Sequence, residues 1–317
     1  IESIERDEPR ADRELHALSA YIRKVFNTEP LFFDAALYER YIGLARYFPF
    51  ELFPWEKALT ALWLCTFSAP GVPRWKTIFT MLGRGAGKDG FIAFTAFCMV
   101  SPYNPAKNYD VDICANNEEQ AMRPVLDIVE VLETPKTEGK LKKHYYHTKQ
   151  LVQGRANKGV IRGRTNNPKS RDGMRSGAII FNEVHIYENY LNIKVFMSSL
   201  GKKEQPRVGI FTSNGDVSDG PLDDYINNGM RILFEGEPDN GFLPFICRLG
   251  SEKEVHDPAN WPKANPSIIY MPTMQRETQE EYEDWQQYPE RNGDFLTKRM
   301  GIRKGFSDTL VTDYANV

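Results

Sequence analysis

Apolar residues recur at two different spacings along this chain, and the spacing changes near residue 70. In residues 13–26 and 35–48 they recur every three or four positions, as in amphipathic helices, and Pro30, Pro49 and Pro54 interrupt the pattern. Beyond residue 70, short runs of β-branched and aromatic residues alternate with helical stretches. This alternation predicts parallel strands connected by helices, and therefore a three-layer α/β domain.

The predicted elements of this domain extend from residue 75 to residue 212. The expected strands are 75–82, 111–115, 177–181 and 208–212, and the expected helices are 88–100, 118–132 and 190–200. Val160 and Ile161 predict a short extra hairpin between the second and third strands. Beyond Ser218 the pattern weakens, leaving a strand-like run at 243–249 and an acidic helix near 277–287.

Length and composition agree with a core that carries smaller additions. The chain has 317 residues, of which 41% are hydrophobic and 26% are charged. These values are typical of globular proteins and disfavour a disordered, collagen-like or disulfide-based chain. The expected parts are an N-terminal helical region that packs on the core (1–60), an α/β core (61–218) and a small lid or linker (219–317).

Membrane insertion and metal-binding cysteine motifs are not expected. The longest apolar run, Phe91 to Val100, is about half of the ~18 to 20 residues that a membrane span needs. The four cysteines are far apart in sequence and form no CxxC pair. We therefore predict a soluble protein with reduced, buried thiols.

Positive charge is concentrated in one segment. Residues 136–175 contain twelve Lys or Arg and only two acidic residues, although the whole chain has a net charge of −3. Such a segment favours contact with a polyanion, because neutralised phosphates release counterions. The alternative is a basic face that contacts only solvent.

A glycine cluster stands between the first predicted strand and the helix that follows it, and it reads Gly83, Arg84, Gly85, Ala86, Gly87, Lys88. Backbone amide groups exposed by such a turn at a helix N-terminus can bind phosphate oxygens. Lys88 would reach the β- and γ-phosphates, and Gly85 and Gly87 let the backbone approach them. The sequence therefore predicts a phosphate-binding loop.

A carboxylate follows the strand predicted at 177–181. Asn182 and Glu183 end that strand, and Glu183 can orient and deprotonate a water molecule that attacks the γ-phosphate. His185 is expected to pack or hydrogen-bond behind Glu183. The alternative for Glu183 is an ordinary strand-capping residue.

Three positions depart from the usual phosphate-site pattern. Leu82 takes the place of the first glycine, Asp89 replaces the Ser or Thr that normally binds Mg²⁺, and Asn182 stands where Asp is usual. We interpret Asp89 and Asn182 as linked departures, because a carboxylate absent from the strand reappears on the loop. One acidic group then stays near the metal, and Asp89→Ser is expected to change the magnesium dependence.

With these motifs in order, the chain resembles the ATPase region of the large terminase subunit, the DNA-packaging motor of tailed bacteriophages. The resemblance spans about residues 53–267. It is carried by PWEK at 54–57, the phosphate loop at 83–88, DICANNEEQA at 112–121, IIFNEVH at 179–185, FTSN at 211–214 and WPKANPS at 261–267.

The resemblance implies a RecA-like P-loop NTPase fold of the additional-strand, catalytic-glutamate type. It implies ATP and Mg²⁺ as cofactors, and ATP hydrolysis coupled to translocation of double-stranded DNA into a procapsid. The implied partners are the portal protein, the small terminase subunit and further copies of the chain in a ring of five. The implied location is the host cytoplasm, transiently at the portal vertex of the procapsid.

The resemblance also assigns residues to the nucleotide. Trp55 and Glu56 correspond to the adenine-side element, although the family usually has Gln where Glu56 stands. Ser213 and Asn214 correspond to the strand end that senses the γ-phosphate and passes its loss to the lid. Asp89 and Asn182 occupy the metal positions.

An arginine from a neighbouring subunit is expected to complete the site. Arg171 has the sequence context and spacing of that residue, with Arg175 as the second candidate, and Arg84 could instead act on its own subunit's γ-phosphate. The alternative is that Arg171 and Arg175 contact only DNA phosphates or solvent.

Two other functions fit part of the sequence. A superfamily-two helicase would need a second RecA-like lobe, and the residues after Ser218 are too few and too acidic for one. A non-catalytic nucleotide-binding scaffold is suggested by Asp89 and Asn182, whereas Lys88 and Glu183 argue against it. The nuclease domain that follows in the family is expected to be absent from these residues, because little chain follows Gly301.

Overall fold

Six parallel strands form the centre of the structure, a computed structural model that describes residues 2–7, 10–165 and 175–303. In chain order the strands are β1 (Phe32–Phe33), β2 (Thr66–Ala69), β3 (Val72–Pro73), β4 (Thr77–Met81), β5 (Asp110–Cys114), β6 (Tyr145–His147), β7 (Leu151–Gly154), β8 (Val160–Arg164), β9 (Ser176–Asn182), β10 (Arg207–Thr212) and β11 (Phe242–Ile246). The α-helices are α1 (Glu2–Glu5), α2 (Arg13–Thr28), α3 (Ala35–Ile42), α4 (Pro54–Leu59), α5 (Lys88–Val100), α6 (Glu118–Glu133), α7 (Pro135–Leu141), α8 (Leu191–Met197), α9 (Pro221–Met230) and α10 (Pro272–Gln287).

The main sheet has the strand order β11-β4-β10-β9-β5-β8-β7-β6. Its first six strands are parallel, and β8, β7 and β6 pair antiparallel at one edge, where a short hairpin was expected. β10 lies between β4, which leads into the phosphate loop, and β9, which ends at Asn182. That insertion is the additional strand of the predicted fold class. β11 pairs with β4, so the sheet continues beyond residue 218.

Alternate residues of each central strand enter two different hydrophobic clusters. Ile78 and Ile180 pack with α5, α6 and the N-terminal helices on one face, whereas Phe79 and Ile179 pack with α8 and α9 on the other. The strands are buried on both faces, which explains their nearly continuous apolar sequences. The three-layer α/β fold predicted from the sequence is confirmed.

A third hydrophobic cluster lies in residues 249–302 and includes Trp261, Tyr282, Trp285 and Phe295. We call residues 249–303 the lid. It contacts the carboxyl end of β4, where Gly83 N donates to a lid carbonyl.

None of the helices described here is both long and apolar enough to cross a membrane.

Candidate nucleotide-binding site

The phosphate loop turns sharply between β4 and α5. Gly85 and Gly87 have φ of +83° and +96°, in the left-handed region that disfavours residues with a Cβ. Phe91 N donates to Gly87 O at 3.1 Å, so the amide groups of residues 88–90 precede the hydrogen-bond ladder of α5. Amide groups at a helix N-terminus beside a glycine turn are suited to bind phosphate.

Leu82, which stands where the usual pattern has the first glycine, and Lys88 both stabilise the phosphate loop. Leu82 is buried and its N–H donates to Thr212 O at 3.0 Å, so it extends the pairing of β4 with β10. Lys88 is also buried, and its Nζ lies 3.5 Å from Leu82 O. The lysine is therefore held along the loop.

Besides the Ser267 contact described below, the lid contacts the backbone of the phosphate loop at three points. Gly83 N donates to Ala264 O at 2.8 Å, and Arg84 N donates to Lys298 O at 2.7 Å. Arg299 Nη1 donates to Arg84 O at 2.9 Å. Neither Gly83 nor Arg84 then offers a free amide, so the amides left for an anion at this loop start at Gly85.

Ser267 connects the loop to Trp55. Its Oγ donates to Ala86 O at 2.8 Å and accepts from Trp55 Nε1 at 2.8 Å, in a buried position. The Trp55 ring packs against Phe91 and Phe245, with ring centroids 5.2 and 5.9 Å away. Trp55 therefore lies in the hydrophobic core and is connected to the phosphate loop through Ser267.

Glu56 is a buried carboxyl beside the phosphate loop. Its Oε2 accepts from Phe53 N at 2.8 Å, and a Cβ on Gly87 would lie 3.6 Å from its Oε1. Burial raises the pKa of Glu56 to about 8, against the smaller lowering effects of the Phe53 N–H and Lys57. The carboxyl is therefore largely protonated at neutral pH, and it offers a donor and an acceptor as a glutamine amide does.

Glu183 lies at the carboxyl end of β9 with φ of +54°, an unusual conformation for a residue with a side chain. Its Oε2 is 3.0 Å from His185 Nδ1 and accepts weakly from Ser213 N at 3.4 Å. Burial alone would raise the pKa of Glu183, but the His185 hydrogen bond, the charge of Lys88 and the Ser213 N–H together lower it to about 2. Glu183 is therefore an ionised carboxylate within the field of Lys88.

Asp89 and Asn182, the two residues that depart together from the usual pattern, are in direct contact. Asn182 Nδ2 donates to Asp89 Oδ1 at 2.9 Å. Asn182 is buried, and its Oδ1 has no hydrogen-bond partner among the described residues. A carboxylate beside an unsatisfied amide oxygen fits Mg²⁺, which binds oxygen ligands.

The strand end after β10 is connected to the end of the lid. Asn214 Nδ2 donates to Gly301 O at 2.8 Å, and Arg303 Nε donates to Gly215 O at 2.8 Å. Ser213 and Asn214 are both buried. A movement of this strand end would therefore reach residues 301–303 directly.

The candidate arginines are placed differently. Arg84 is exposed, and its guanidinium lies 3.8 Å from Asp294 of the lid, a contact that contributes little stability. Arg171 lies outside the described residues. Arg175 directly precedes β9, so it is about 25 Å from Glu183 along the strand, at the opposite edge of the sheet.

The structure brings together most of the predicted site residues: the phosphate loop, Asp89, Asn182, Glu183, Ser213 and Glu56. Sequence reasoning missed the lid residues Lys298, Arg299 and Arg303. No motif marks these residues, and their partners are distant in sequence: Lys298 and Arg299 contact Arg84, and Arg303 contacts Gly215, which is 88 positions earlier.

Two curated proteins are similar to the chain in sequence, the terminase large subunits of Lactococcus phages p2 and SK1. Each is 28% identical over 229 residues, which cover 71% of this chain and 41% of the relative. The chain therefore spans less than half the length of the curated relatives it matches. No family model matches the chain.

Solved structures are similar to the chain in fold. The large terminase of bacteriophage HK97 has a TM-score of 0.68 and 17% identity, over 84% of this chain and 55% of that one. The large terminase ATPase domain of Thermus phage P74-26 has a TM-score of 0.53 and 14% identity, over 82% of this chain and 96% of that one. The resemblance is therefore confirmed: the chain is similar in sequence to phage terminase large subunits and has the fold of their ATPase domains.

Proposed function

We propose that the chain is the ATP-hydrolysing motor of a viral large terminase, which translocates double-stranded DNA into a procapsid. The observation that carries this proposal is the convergence of Lys88 and Glu183. Leu82, at the start of the loop, donates to Thr212 O at 3.0 Å, and the next residue of that strand end, Ser213, donates to Glu183 Oε2 at 3.4 Å. The loop and the carboxylate therefore lie at one strand end, where the charge of Lys88 also lowers the pKa of Glu183. A scaffold that only binds nucleotide has no need for that carboxylate.

The proposed reaction uses each group in turn. Lys88 and the amide groups of residues 85–89 bind the phosphates of ATP. Glu183 orients a water molecule and accepts its proton as the water oxygen bonds to the γ-phosphorus and the bond to the ADP oxygen breaks. Asp89 and Asn182 would hold Mg²⁺, which when bound neutralises charge on the β- and γ-phosphates.

A positive charge at the transferring phosphoryl group is assigned to Arg171 of a neighbouring subunit. That role requires a homo-oligomeric ring, which we propose to contain five subunits on the portal protein. Arg84 is the alternative and would act within its own subunit. Its exposed, weakly paired guanidinium is free to leave Asp294 when a triphosphate binds.

The base of the nucleotide is assigned to the side of the phosphate loop where Phe53, Glu56 and Tyr270 lie. Phe53 lies 3.2 Å from the position of a Cβ on Gly87, and it stacks on Tyr270 of the lid with ring centroids 5.8 Å apart. A protonated Glu56 carboxyl can both donate to and accept from the edge of adenine. A structural alternative is that Glu56 only caps α4 through the Phe53 N–H.

The DNA is assigned to the edge of the main sheet that is formed by β8, β7 and β6. Arg162 and Arg164 of the basic segment are already paired with Asp110 and Asp112, at 3.7 and 2.8 Å, so they support β5 and β8. Other members on α7 and the β6–β8 hairpins are exposed and form a surface that we call the basic edge: Lys136, Lys140, Lys143, Lys149, Arg155 and Lys158. Contacts of such residues with DNA phosphates carry little sequence preference.

The remaining parts of the proposal follow from the similarity to terminase large subunits. The portal protein and the small terminase subunit are the proposed partners, and the proposed location is the host cytoplasm, at the portal vertex of the procapsid.

The test is ATP turnover by the full chain with and without DNA. Glu183→Gln is expected to lower kcat by about 100-fold or more while nucleotide affinity is retained, because general-base catalysis is removed. Glu188→Gln, an exposed residue nearby, is the matched control. Equal rates for the native chain and Glu183→Gln would contradict catalysis and favour the nucleotide-binding scaffold.

A further inference from the structure

Glu183 belongs to a closed circuit of hydrogen bonds at the ends of β9 and β10. His185 Nδ1 lies 3.0 Å from Glu183 Oε2 and 3.2 Å from Thr212 Oγ1. Thr212 Oγ1 donates to Ser213 O at 2.7 Å, and Ser213 N completes the circuit with a 3.4 Å contact to Glu183 Oε2. The carboxylate is therefore connected to β10 by two routes.

The circuit determines which nitrogen of His185 carries the proton. The Thr212 hydroxyl hydrogen is used on Ser213 O, and Thr212 Oγ1 also accepts from His185 N at 3.0 Å. Both neighbours of Nδ1 are then acceptors, the hydroxyl oxygen and the carboxylate. Nδ1 must therefore be a donor, shared between Thr212 and Glu183.

Packing leaves the imidazole little room to move. The His185 side chain is 14% exposed and Thr212 is fully buried. A Cβ on Gly215 would lie 2.7 Å from His185 Cβ, so only glycine allows this close approach. Gly215 also accepts from Arg303 of the lid, which places the histidine between the carboxylate and the lid contact.

We infer that His185 is a positioning residue for Glu183: its Nδ1–H fixes the carboxylate to Thr212 and so aims it from the end of β10. This inference rests on the proposed ATP hydrolysis. The strand end that is proposed to sense the γ-phosphate is then the same element that orients the general base. Displacement of β10 would move Glu183 away from its working orientation without any change in the phosphate loop.

The test compares two replacements of His185 in the full chain, measured with Mg²⁺-ATP. His185→Leu removes the donor, and kcat is expected to fall by roughly tenfold or more, as when an orienting partner is removed. His185→Asn keeps an N–H donor near the position of Nδ1 and is expected to restore most of that loss. Affinity for a nonhydrolysable ATP analogue should change less than about twofold in both variants, because the side chain at position 185 does not contact the phosphate loop.

Two further variants separate positioning from folding. Thr212→Val removes the hydroxyl and should lower kcat in the same way, and its effect should not add to that of His185→Leu, since both break one circuit. His16→Leu, an exposed histidine on α2, is the matched control for the histidine replacement. Unfolding temperatures for all variants identify any that fail to fold, and His185→Asn and Thr212→Val then carry the test.

The outcomes distinguish this inference from the proposed function. If His185→Leu has the native kcat while Glu183→Gln is inactive, the positioning role of His185 is overturned and the proposed hydrolysis stands. An equal loss in His185→Leu and His185→Asn, or a parallel loss of analogue affinity, would overturn it as well. If the native chain turns over ATP no faster than Glu183→Gln, both the proposed hydrolysis and the positioning role are overturned.

Discussion

Asn182 donates a 2.9 Å hydrogen bond to Asp89, which joins the end of β9 to the first turn of α5 across 93 positions of sequence. In the usual phosphate site the strand carries the carboxylate and the helix carries the hydroxyl. Here the strand carries the neutral amide and the helix carries the carboxylate. The two departures are therefore in contact, and one negative charge is retained beside the candidate metal position.

Exchanging this pair back to the usual residues provides a first prediction. Asp89→Ser should weaken Mg²⁺-dependent binding of an ATP analogue by about tenfold or more, because it removes the carboxylate. Asn182→Asp should lower the unfolding temperature, since it sets two carboxylates against each other. The double variant should recover both properties, as measured by calorimetric titration with and without Mg²⁺ and by thermal unfolding. Unchanged magnesium dependence in Asp89→Ser would show that Asp89 does not serve the metal.

A second prediction concerns Glu56 and pH. Because its pKa is raised to about 8 from 4.5, the folded chain holds a proton that the unfolded chain loses above pH 4.5. Stability should therefore decline between pH 4.5 and 8 through this group, and Glu56→Gln should remove that part of the decline. The unfolding temperature of Glu56→Gln should exceed the native value by an amount that grows from pH 5 to pH 8.

The exposed Glu51→Gln is the matched control for that measurement and should show no such trend. If base recognition uses the protonated carboxyl, affinity for ATP should also fall above pH 8 in the native chain and stay level in Glu56→Gln. Tripolyphosphate, which has no base, should show no dependence on Glu56. A constant difference in unfolding temperature across this pH range would contradict the prediction.

A third prediction concerns Ser267. Ser267→Ala leaves the Trp55 Nε1–H and the Ala86 carbonyl without their buried partner, which should cost about 1–3 kcal/mol of unfolding free energy. The KM for ATP should rise, because Ala86 lies in the phosphate loop. Denaturant unfolding and steady-state kinetics measure the two effects. Ser198→Ala, at an exposed serine that follows α8, should change neither quantity.

A fourth prediction concerns the contact of the lid with the phosphate loop. Arg299 is held by Glu281 through two hydrogen bonds of 2.6 and 2.7 Å, and it donates to Arg84 O. Arg299→Ala should raise the KM for ATP and lower the unfolding temperature, because it removes a hydrogen bond to the loop and leaves Glu281 without this partner. Arg276→Ala, at an exposed position on α10, is the matched control. Kinetics identical to those of the native chain would show that the lid does not support nucleotide binding.

A fifth prediction concerns the basic edge. Lys140→Glu combined with Lys143→Glu should weaken DNA binding and reduce the slope of log K against log salt by about 0.9 for each phosphate that is no longer neutralised. The matched control is Lys24→Glu combined with Lys253→Glu, two exposed lysines outside this surface. Filter binding across a salt series measures the slope. Equal slopes in the two double variants would place the DNA elsewhere.

Several features of the chain were readable from sequence because they depend on near neighbours. The bounds of α5 agree with the predicted helix, since Gly87 can adopt the conformation that precedes it and the next thirteen residues suit a buried helix. The alternation of strands and helices predicted the three-layer fold. The sequence linked Asp89 and Asn182 as two departures from one pattern, whereas their hydrogen bond was found only in the structure.

Other features depend on partners that are distant in sequence. Arg162 and Arg164 belong to the basic segment that was expected to contact a polyanion or solvent, yet they pair with Asp110 and Asp112, a pairing that follows from the register of β5 and β8. The run at 243–249 was assigned to the lid region, yet β11 pairs with β4 of the main sheet. Neither outcome is encoded by local spacing.

The sequence by itself determined the fold class, the glycine turn before α5 and the carboxylate that follows β9. Backbone conformation and hydrophobic periodicity depend on residues that are close in sequence. They can therefore be read from the sequence alone. Only the tertiary structure decided that Lys298 and Arg299 contact the phosphate loop, and that His185 connects Glu183 to Thr212. A hydrogen bond needs two groups within about 3 Å, and for residues far apart along the chain that proximity arises only when packed elements bring them together.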